Sequence, residues 1–404
     1  MATTQTYNGT AFVGELADEI FAPYIATGKT IERGLVRTMF NVRSRMQIPK
    51  MDVDITFQDL VTSTGVFSPT GAYTRDLIDL NPTPVKVQAE FNTTLQLAQW
   101  ESTRTPSNWQ PIQWASPFEQ KATILTGEKI SQALEQLFWR GKDSSTAKFT
   151  FTGAFPGVIG SALASSDTNK ATASSSSLVA TAITTAGVVT VGSTANIFNG
   201  DVVTLNAITA SGVTIDGLAA VGQEFSVRVL TSTTFRIVNY NTGLPVVLSA
   251  AATAATFGFI NQTNVAQALT DALALLPSVI AGNFQDLRIV VAPHVMRAYK
   301  RSQATATALQ SGSSNLRQRP EFADPYMDDV LNYTLVSIDN MHPNAVLAYL
   351  PENAIWGSNL GSGDPSLVSK YMYPFNLDQT VRVDAAFSIA FAMGFYNETA
   401  LVTV

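Results

Sequence analysis

The residue types on which catalysis most often rests are sparse in this sequence: two histidines, no cysteine, and one short run with the look of a phosphate loop. That run is Thr27–Thr30, TGKT, the end of a loop whose backbone N–H groups and lysine would cradle phosphates. The full pattern needs glycine at position 23, which holds Pro23, and the residues before it read as helix where a strand is required. GSNLGSG at Gly357 is rich in glycine but lacks dinucleotide spacing and a following helix, so it reads as a turn. His294 follows Pro293 at the start of a helix, and His342 precedes Pro343 in a turn. Neither lies in HExxH or beside a nucleophile motif, and no GxSxG occurs. Asp52 and Asp54 share one face of a strand, as many solvated pairs do, and the adjacent Asp328 and Asp329 would not converge. Five N-x-[ST] sequons, one at Asn92, matter only in a secreted protein. No catalytic, cofactor-binding or metal-ligating residue is assigned, and the reading is that the chain is not an enzyme.

Composition points the same way. Of 404 residues, 14% are charged and 46% hydrophobic. So low a charge density on a large chain suggests surface buried against other copies. The formal net charge of −6 argues against a dedicated nucleic-acid binder, whose footprint would be basic. Aromatic residues are scattered and not interleaved with basic ones, so no platform for single strands is read. Without cysteine, disulfides and thiolate metal sites are excluded. The start, MATTQTYNGTAFVG, lacks the charged-then-apolar pattern of a signal peptide, and ALALLPSVIAG from Ala272 is short and broken by Pro277. No membrane span is expected, and the chain is expected to be made and kept in a cytoplasm.

The strongest element is a helix over 116–141, SPFEQKATILTGEKISQALEQLFWRG. Ser116 suits the N-cap, Pro117 the first turn, and Glu119 a capping box. Ile130, Ala133, Leu134, Leu137 and Phe138 recur at helical spacing, Arg140 suits the negative end of the dipole, and Gly141 reads as the residue past the end. At 1.5 Å per residue such a helix is roughly 35 Å long, which reads as a spine. Before it, Gly14 to Thr38 reads as helix, with Lys29, Arg33 and Arg37 as a basic stripe, either a solvated face or, the preferred reading, an arm that docks on an acidic neighbour or lies near nucleic acid. RSRMQIPKMDVDITF, Arg43 to Phe57, alternates as a strand, and so does a second run, PVKVQAEFNTTLQLAQW, Pro84 to Trp100. Joined through SPTGAYTRD they predict an extended hairpin, marginal unless it finds a partner surface.

Ser161 to Ser177 is small and polar and reads as a linker. From Leu178 to Phe259 short β-branched runs, GVVTV, DVVTL, GVTIDG, EFSVRVL, TTFRIVNY and PVVLS, are spaced by turn signals such as NGD at Asn199 and NTG at Asn241. They predict a small inserted sandwich. Helix returns at Asn264 to Leu276. A buried strand in LRIVV and a helix opened by Pro293 follow, then a loop over Gln303 to Arg319 and strands near Leu335 and Val346. The tail, including VRVDAAFSIAF, is rich in strands.

In this order the elements resemble a tailed-phage major capsid protein of the Hong Kong 97-type fold. The stretches that carry the resemblance are MDVDITF and PVKVQAEF, SPFEQKATILTGEKISQALEQLFWRGK, GAFPGVIG, DALALLPSVIAGNFQDLRIVVAPHVMRAYKRS, and NAIWGS with VRVDAAFSIAFAMGFYNETALV. It spans most of the chain except Ser161 to Ile260 and rests on element order, with no diagnostic motif. It implies an α+β fold with an N-terminal arm (1–45) and an extended hairpin loop (46–104). A peripheral domain (105–150 and 346–404) would contain the spine helix 116–141. An axial domain (151–164 and 261–345) would be interrupted by an immunoglobulin-like β-sandwich (165–260). Some relatives cross-link through a lysine of the extended loop; Lys50 and Lys86 lie in that region, but no partner residue is matched, so that chemistry is not carried over.

The function so implied is structural: copies assemble as hexamers and pentamers into the icosahedral shell around the double-stranded DNA of a tailed phage, in the cytoplasm of the host. Arg33, Arg37, Arg43 and Arg45 of the arm would seek acids on a neighbour, and the insertion would stand on the outer surface. The partners implied are other copies, with scaffolding, portal and decoration proteins; the DNA is enclosed without sequence-specific binding, and no cofactor is called for. The rival readings are a cellular nanocompartment shell of the same fold and a tail or adhesin protein whose β segment binds glycans.

Overall fold

A computed structural model describes residues 28–54, 72–92, 116–141, 157–173, 177–209, 213–215, 218–219, 221–240, 243–281, 286–309, 327–330, 333–339, 341–358, 368–372, 380–394 and 396–404. In chain order the strands are β1 (Arg37–Met39), β2 (Met46–Asp54), β3 (Ala72–Leu80), β4 (Thr83–Asn92), β5 (Asn169–Thr172), β6 (Ser177–Ile183) and β7 (Val188–Val191). Then come β8 (Val202–Ile208), β9 (Thr214–Ile215), β10 (Leu218–Ala219), β11 (Glu224–Val229), β12 (Thr234–Asn239), β13 (Ala255–Gly258) and β14 (Arg288–Val291). The last are β15 (Met327–Val330), β16 (Tyr333–Ser337), β17 (Ala345–Tyr349), β18 (Ala354–Ser358), β19 (Val368–Met372), β20 (Thr380–Met393) and β21 (Ala400–Thr403). The main helices are Ser116–Arg140, Gly157–Ala164, Val265–Ala274 and Pro293–Leu309. The chain divides into two units, and the division falls within the first of these helices, between Ser131 and Gln132.

The first unit is built on β20, whose 14 residues make it the longest strand among the described residues. One edge of β20 carries β4 from Thr83 to Asn92; the other carries β19 and then β18, with β1 parallel to β18 beyond. Trp356 and Phe391 are cross-strand partners with ring centroids 4.7 Å apart. The strands β2 and β3 form a sheet of their own, an antiparallel ribbon of nine residue pairs from Met46–Leu80 to Asp54–Ala72. At its base Leu80 and Ile78 are buried, whereas Leu77 and Met46 are exposed. A Cβ on Gly357 would meet Leu80 Cδ2 at 3.0 Å, and one on Gly394 would meet Ile78 Cδ1 at 2.1 Å, so two glycines make room for the base of the ribbon.

This pairing corrects the expected hairpin. The partner of β2 is Ala72–Leu80, and the Pro84 run instead turns away after Asn81-Pro82 to pair with β20. Charged residues in AYTRDLIDL hide the alternation that buries Ile78 and Leu80. The connection 55–71 lies outside the described residues. A helix to Thr38 is also corrected. Gly34, at φ +63°, follows a helix that ends at Glu32, and Arg37–Met39 is the strand β1. The expected helix before Lys29 falls largely on 1–27, outside the described residues, as does any arm there.

The second unit holds a six-stranded mixed sheet in the order β15-β16-β14-β17-β21-β5. Residues Ile289 to Val291 and Ala345 to Tyr349 are all buried, the near-continuous apolar run expected of strands covered on both faces. Helix Val265–Ala274 packs on β17, on β21 and on helix Pro293–Leu309. The end of the long helix brings Trp139 edge-on to Tyr349, with ring centroids 6.3 Å apart. The Tyr349 hydroxyl donates to Leu35 O at 2.7 Å, and burial raises its pKa above the ordinary tyrosine value. Here too expectation and structure differ. β17 and β21 come from the 346–404 stretch assigned to another domain, yet both ladder into this sheet. The expected linker over Ser161–Ser177 holds the end of helix Gly157–Ala164 and the strand β5, parallel to β21. Helix Pro293–Leu309 also covers the first part of the loop expected over Gln303–Arg319.

The inserted β segment belongs to the second unit. Six of its strands close into one ring, β11-β12-β7-β6-β13-β8, every neighbour antiparallel, around Phe225, Val227, Phe235, Ile237, Leu205 and Phe257, while β9 and β10 pair with each other. The expected immunoglobulin-like sandwich is therefore corrected to a closed six-stranded barrel that begins at Ser177. Register shifts at Ala180/Ala182 and Thr256/Phe257 lie in β6 and β13. Such bulges sharpen local twist and help a sheet close on itself.

Candidate functional site: the barrel junction and the ribbon

A buried polar seam joins the barrel to the α/β part of the second unit, and most of its charges come from residues far apart in sequence. The long helix delivers Arg140 as its last residue, because Gly141 at φ +65° ends the helix there. The Gly141 N–H still donates to Leu137 O at 2.9 Å. Gly157, at φ +69°, lies so close that a Cβ on it would meet Gly141 N at 2.2 Å; only glycine permits this backbone contact. So fixed, Arg140 Nη1 sits 3.2 Å from Glu224 Oε2 with both side chains almost fully covered, and Nη2 donates to Met341 O at 3.2 Å. Its guanidinium lies 5.2 Å from the centroid of the Tyr240 ring. Burial raises the pKa of that tyrosine. His342 Nε2 lies 3.0 Å from the other Glu224 oxygen. Arg140 thus complements a barrel carboxylate and not merely the helix dipole.

A second cationic clamp comes from helix Pro293–Leu309. Both Nη atoms of Arg301 lie 3.2 Å from Asp201 Oδ1, and the guanidinium stacks 4.2 Å from the centroid of Phe198. Asp201 Oδ2 accepts the Phe198 N–H at 2.9 Å. Burial raises the Asp201 pKa, opposed by the Phe198 N–H and then by Arg301. Arg297 Nη2 donates to Gly200 O at 3.0 Å. The NGD turn is thus the knuckle by which the barrel meets this helix, with Gly200 at φ +84°. Between the clamps, fully buried Asn344 donates from Nδ2 to Thr204 Oγ1 at 2.9 Å. Its Oδ1 accepts the Ile260 N–H at 3.2 Å and faces His294 Nε2 at 3.3 Å. Burial pushes His294 down to about 3, so it is neutral near pH 7.

The structure brings His294 and His342 to this one seam, which the sequence did not, but as packing partners of Asn344 and Glu224. Among the described residues no group of three His, Cys, Asp or Glu could hold a metal ion, and no helix is long and apolar enough to cross a membrane. Lys29 and Thr30 of TGKT begin a four-residue helix, and 1–27 lie outside the described residues. Asp52 and Asp54 lie on β2, Lys50 on β2 and Lys86 on β4. The expected basic stripe is dispersed: Lys29 is on that helix, Arg33 follows its end, and Arg37 is on β1. Arginines of the arm find partners within the chain, two of them as follows. Arg33 donates to Ser337 O, and Arg45 pairs with Asp79 at 2.5 Å on the exposed side of the ribbon. Sequence reasoning passed over Glu224, Asp201 and Asn344; the one local signal was an acid in the NGD turn.

No family model matches the chain, and neither does any curated protein. Among solved structures it is similar to a chain of the satellite phage P4 procapsid that includes the size determination (Sid) protein. That match has 10% identity and a TM-score of 0.47, over 98% of this chain and 93% of the other. It is also similar to a chain from the capsid of Myoviridae phage XM1, at 11% identity and a TM-score of 0.42, over 100% and 96% of the two chains. A third is a chain from the capsid of Ralstonia phage GP4, at 11% identity and a TM-score of 0.42, over 99% and 92%.

Proposed function

We propose that this chain is a structural shell subunit, a tailed-phage-type major capsid protein whose copies assemble as hexamers and pentamers into a closed container for double-stranded DNA. The observation that carries the reading is the ribbon β2–β3: it forms a sheet separate from the rest of its unit and exposes Leu77 and Met46 near its base. A two-stranded ribbon is marginal in water, and the surface that completes it lies on a neighbouring copy. Element order supports the same reading: ribbon, long helix, and a mixed sheet with an inserted β-domain. The extended loop is then drawn at 46–80, with β4 part of the sheet built on β20. The role is mechanical, with no bond made or broken.

The test is direct. The purified chain, examined by analytical ultracentrifugation and negative-stain microscopy, is expected to form closed shells or capsomers. A monodisperse monomer at all concentrations and salts overturns the reading.

A further inference from the structure

The barrel segment from Ser177 to Gly258 holds five charged residues: Asp201, Asp216, Glu224, Arg228 and Arg236. Asp201 and Glu224 are turned into the junction against Arg301 and Arg140. Asp216 lies outside the described residues. The two cations are direct cross-strand partners on β11 and β12. The alternation buries Phe225, Val227, Phe235 and Ile237 inside the barrel and leaves Arg228 and Arg236 on its outer face. Directly opposed residues have Cβ atoms about 4.5–5.5 Å apart, and like charges so placed destabilise a sheet. Arg228 is exposed and Arg236 half-buried, and among the described residues neither has an ion-pair partner.

We propose that Arg228 and Arg236 form a docking point for a carboxylate of a second copy of this chain, an inference that rests on the assembly reading above. Guanidinium groups carried by directly opposed residues can both donate to one Asp or Glu side chain, and bound carboxylate removes the like-charge penalty. Charge complementarity selects the occupant. The formal net charge of the chain is −6, and five units of that excess lie outside residues 177–258. Glu128, Asp167 and Glu352 are exposed there. A second copy therefore offers acids to a face whose charges, among the described residues, are Arg228 and Arg236.

The test uses the full chain with R228K/R236K, which keeps the charge and supplies amines. A mixture of ¹⁴N- and ¹⁵N-labelled subunits is assembled and treated with a water-soluble carbodiimide, and the products are read by mass spectrometry. Mixed-label cross-links from position 228 or 236 to Asp or Glu are expected. Particles that form with no such cross-link, or with links within one copy only, overturn this inference and leave the assembly reading standing. Absence of particles from the wild-type chain overturns both. R228E/R236E preserves the like-charge opposition and so isolates docking from folding. With an unchanged circular dichroism spectrum, it is expected to raise the protein concentration needed for assembly about tenfold at low salt and less at high salt. An unchanged assembly threshold counts against the docking point, as does cross-linking to an added acidic protein or release of bound DNA on charge reversal.

Discussion

Arg140, the last residue of a 25-residue helix, meets Glu224, the first residue of β11, at 3.2 Å across 84 positions of sequence, and both side chains are almost wholly withdrawn from water. Taking one partner from such a pair leaves a buried charge uncompensated, which typically costs about 3–5 kcal/mol. Glu224→Ala is therefore expected to lower the unfolding free energy of the second unit by that much, read as a lower urea midpoint at unchanged slope. Replacing both residues by apolar ones of similar volume should recover most of the loss. A double-mutant cycle read by urea unfolding checks this; additive single effects would show that the pair is not coupled.

Gly157 and Gly34 both have positive φ but should behave differently. At Gly34 a Cβ meets nothing within 4 Å, so Gly34→Ala carries only the backbone cost, about 1–2 kcal/mol. At Gly157 the same atom would lie 2.2 Å from the backbone nitrogen of Gly141, and backbone cannot step aside. Gly157→Ala is expected to cost more than about 4 kcal/mol or to yield insoluble chain. Parallel expression and thermal melts of the two variants make the comparison, and equal losses would refute the close approach.

How far the sequence carried depends on the range of the interaction. The long helix was legible because its terminal glycine and 3.6-residue period are local: Gly141 has positive φ, and Ile130, Leu134, Leu137 and Phe138 are buried as the period requires. Trp139 was missed because its partner, Tyr349, is 210 residues away. The runs that became β7, β8, β11 and β12 could be read, but not the closure of their ring, since register and bulges set closure and strand length does not. The ribbon's second strand was hidden because Arg75, Asp76 and Asp79 break the two-residue period around Ile78 and Leu80, which are buried beside Gly394 and Gly357. The seam has no motif: Asp201, Glu224 and Asn344 acquire meaning only when tertiary packing sets Arg301, Arg140 and Thr204 before them.

His294 gives the chain an acid-sensitive element. Its folded pKa is pushed down to about 3 by burial, against about 6.5 for an exposed histidine. Between those values the unfolded chain binds a proton that the folded chain refuses, so stability falls as pH drops from about 6.5 toward 3, by up to about 1.4 kcal/mol per pH unit from this group. His294→Gln is expected to lose stability at pH 7 through repacking against Asn344 but to flatten the decline. Urea midpoints measured from pH 7 to pH 4, as the difference between wild type and variant, isolate this group from the carboxylates. A parallel pair of curves would mean that His294 is already charged in the folded chain.

The ribbon is where the assembly reading is most exposed to experiment. β3 begins at Ala72, so a deletion reaching Asp76 would remove paired strand and confuse folding with assembly. The informative deletion lies within 57–69, closed by an Asn-Gly turn, which leaves the nine pairs from Met46–Leu80 to Asp54–Ala72 intact. Leu77→Glu is the companion. Leu77 is exposed and adjoins Ile78, which fills the space beside Gly394, so the change alters the outward face and spares the packed one. Both variants are expected to keep the wild-type melting temperature within a few degrees and to sediment as subunits or small oligomers where the wild type gives shells. Full-size particles from both would remove the ribbon from the assembly contact and shift the search to further exposed apolar residues, first Val179, Leu244 and Val247, the most exposed of them.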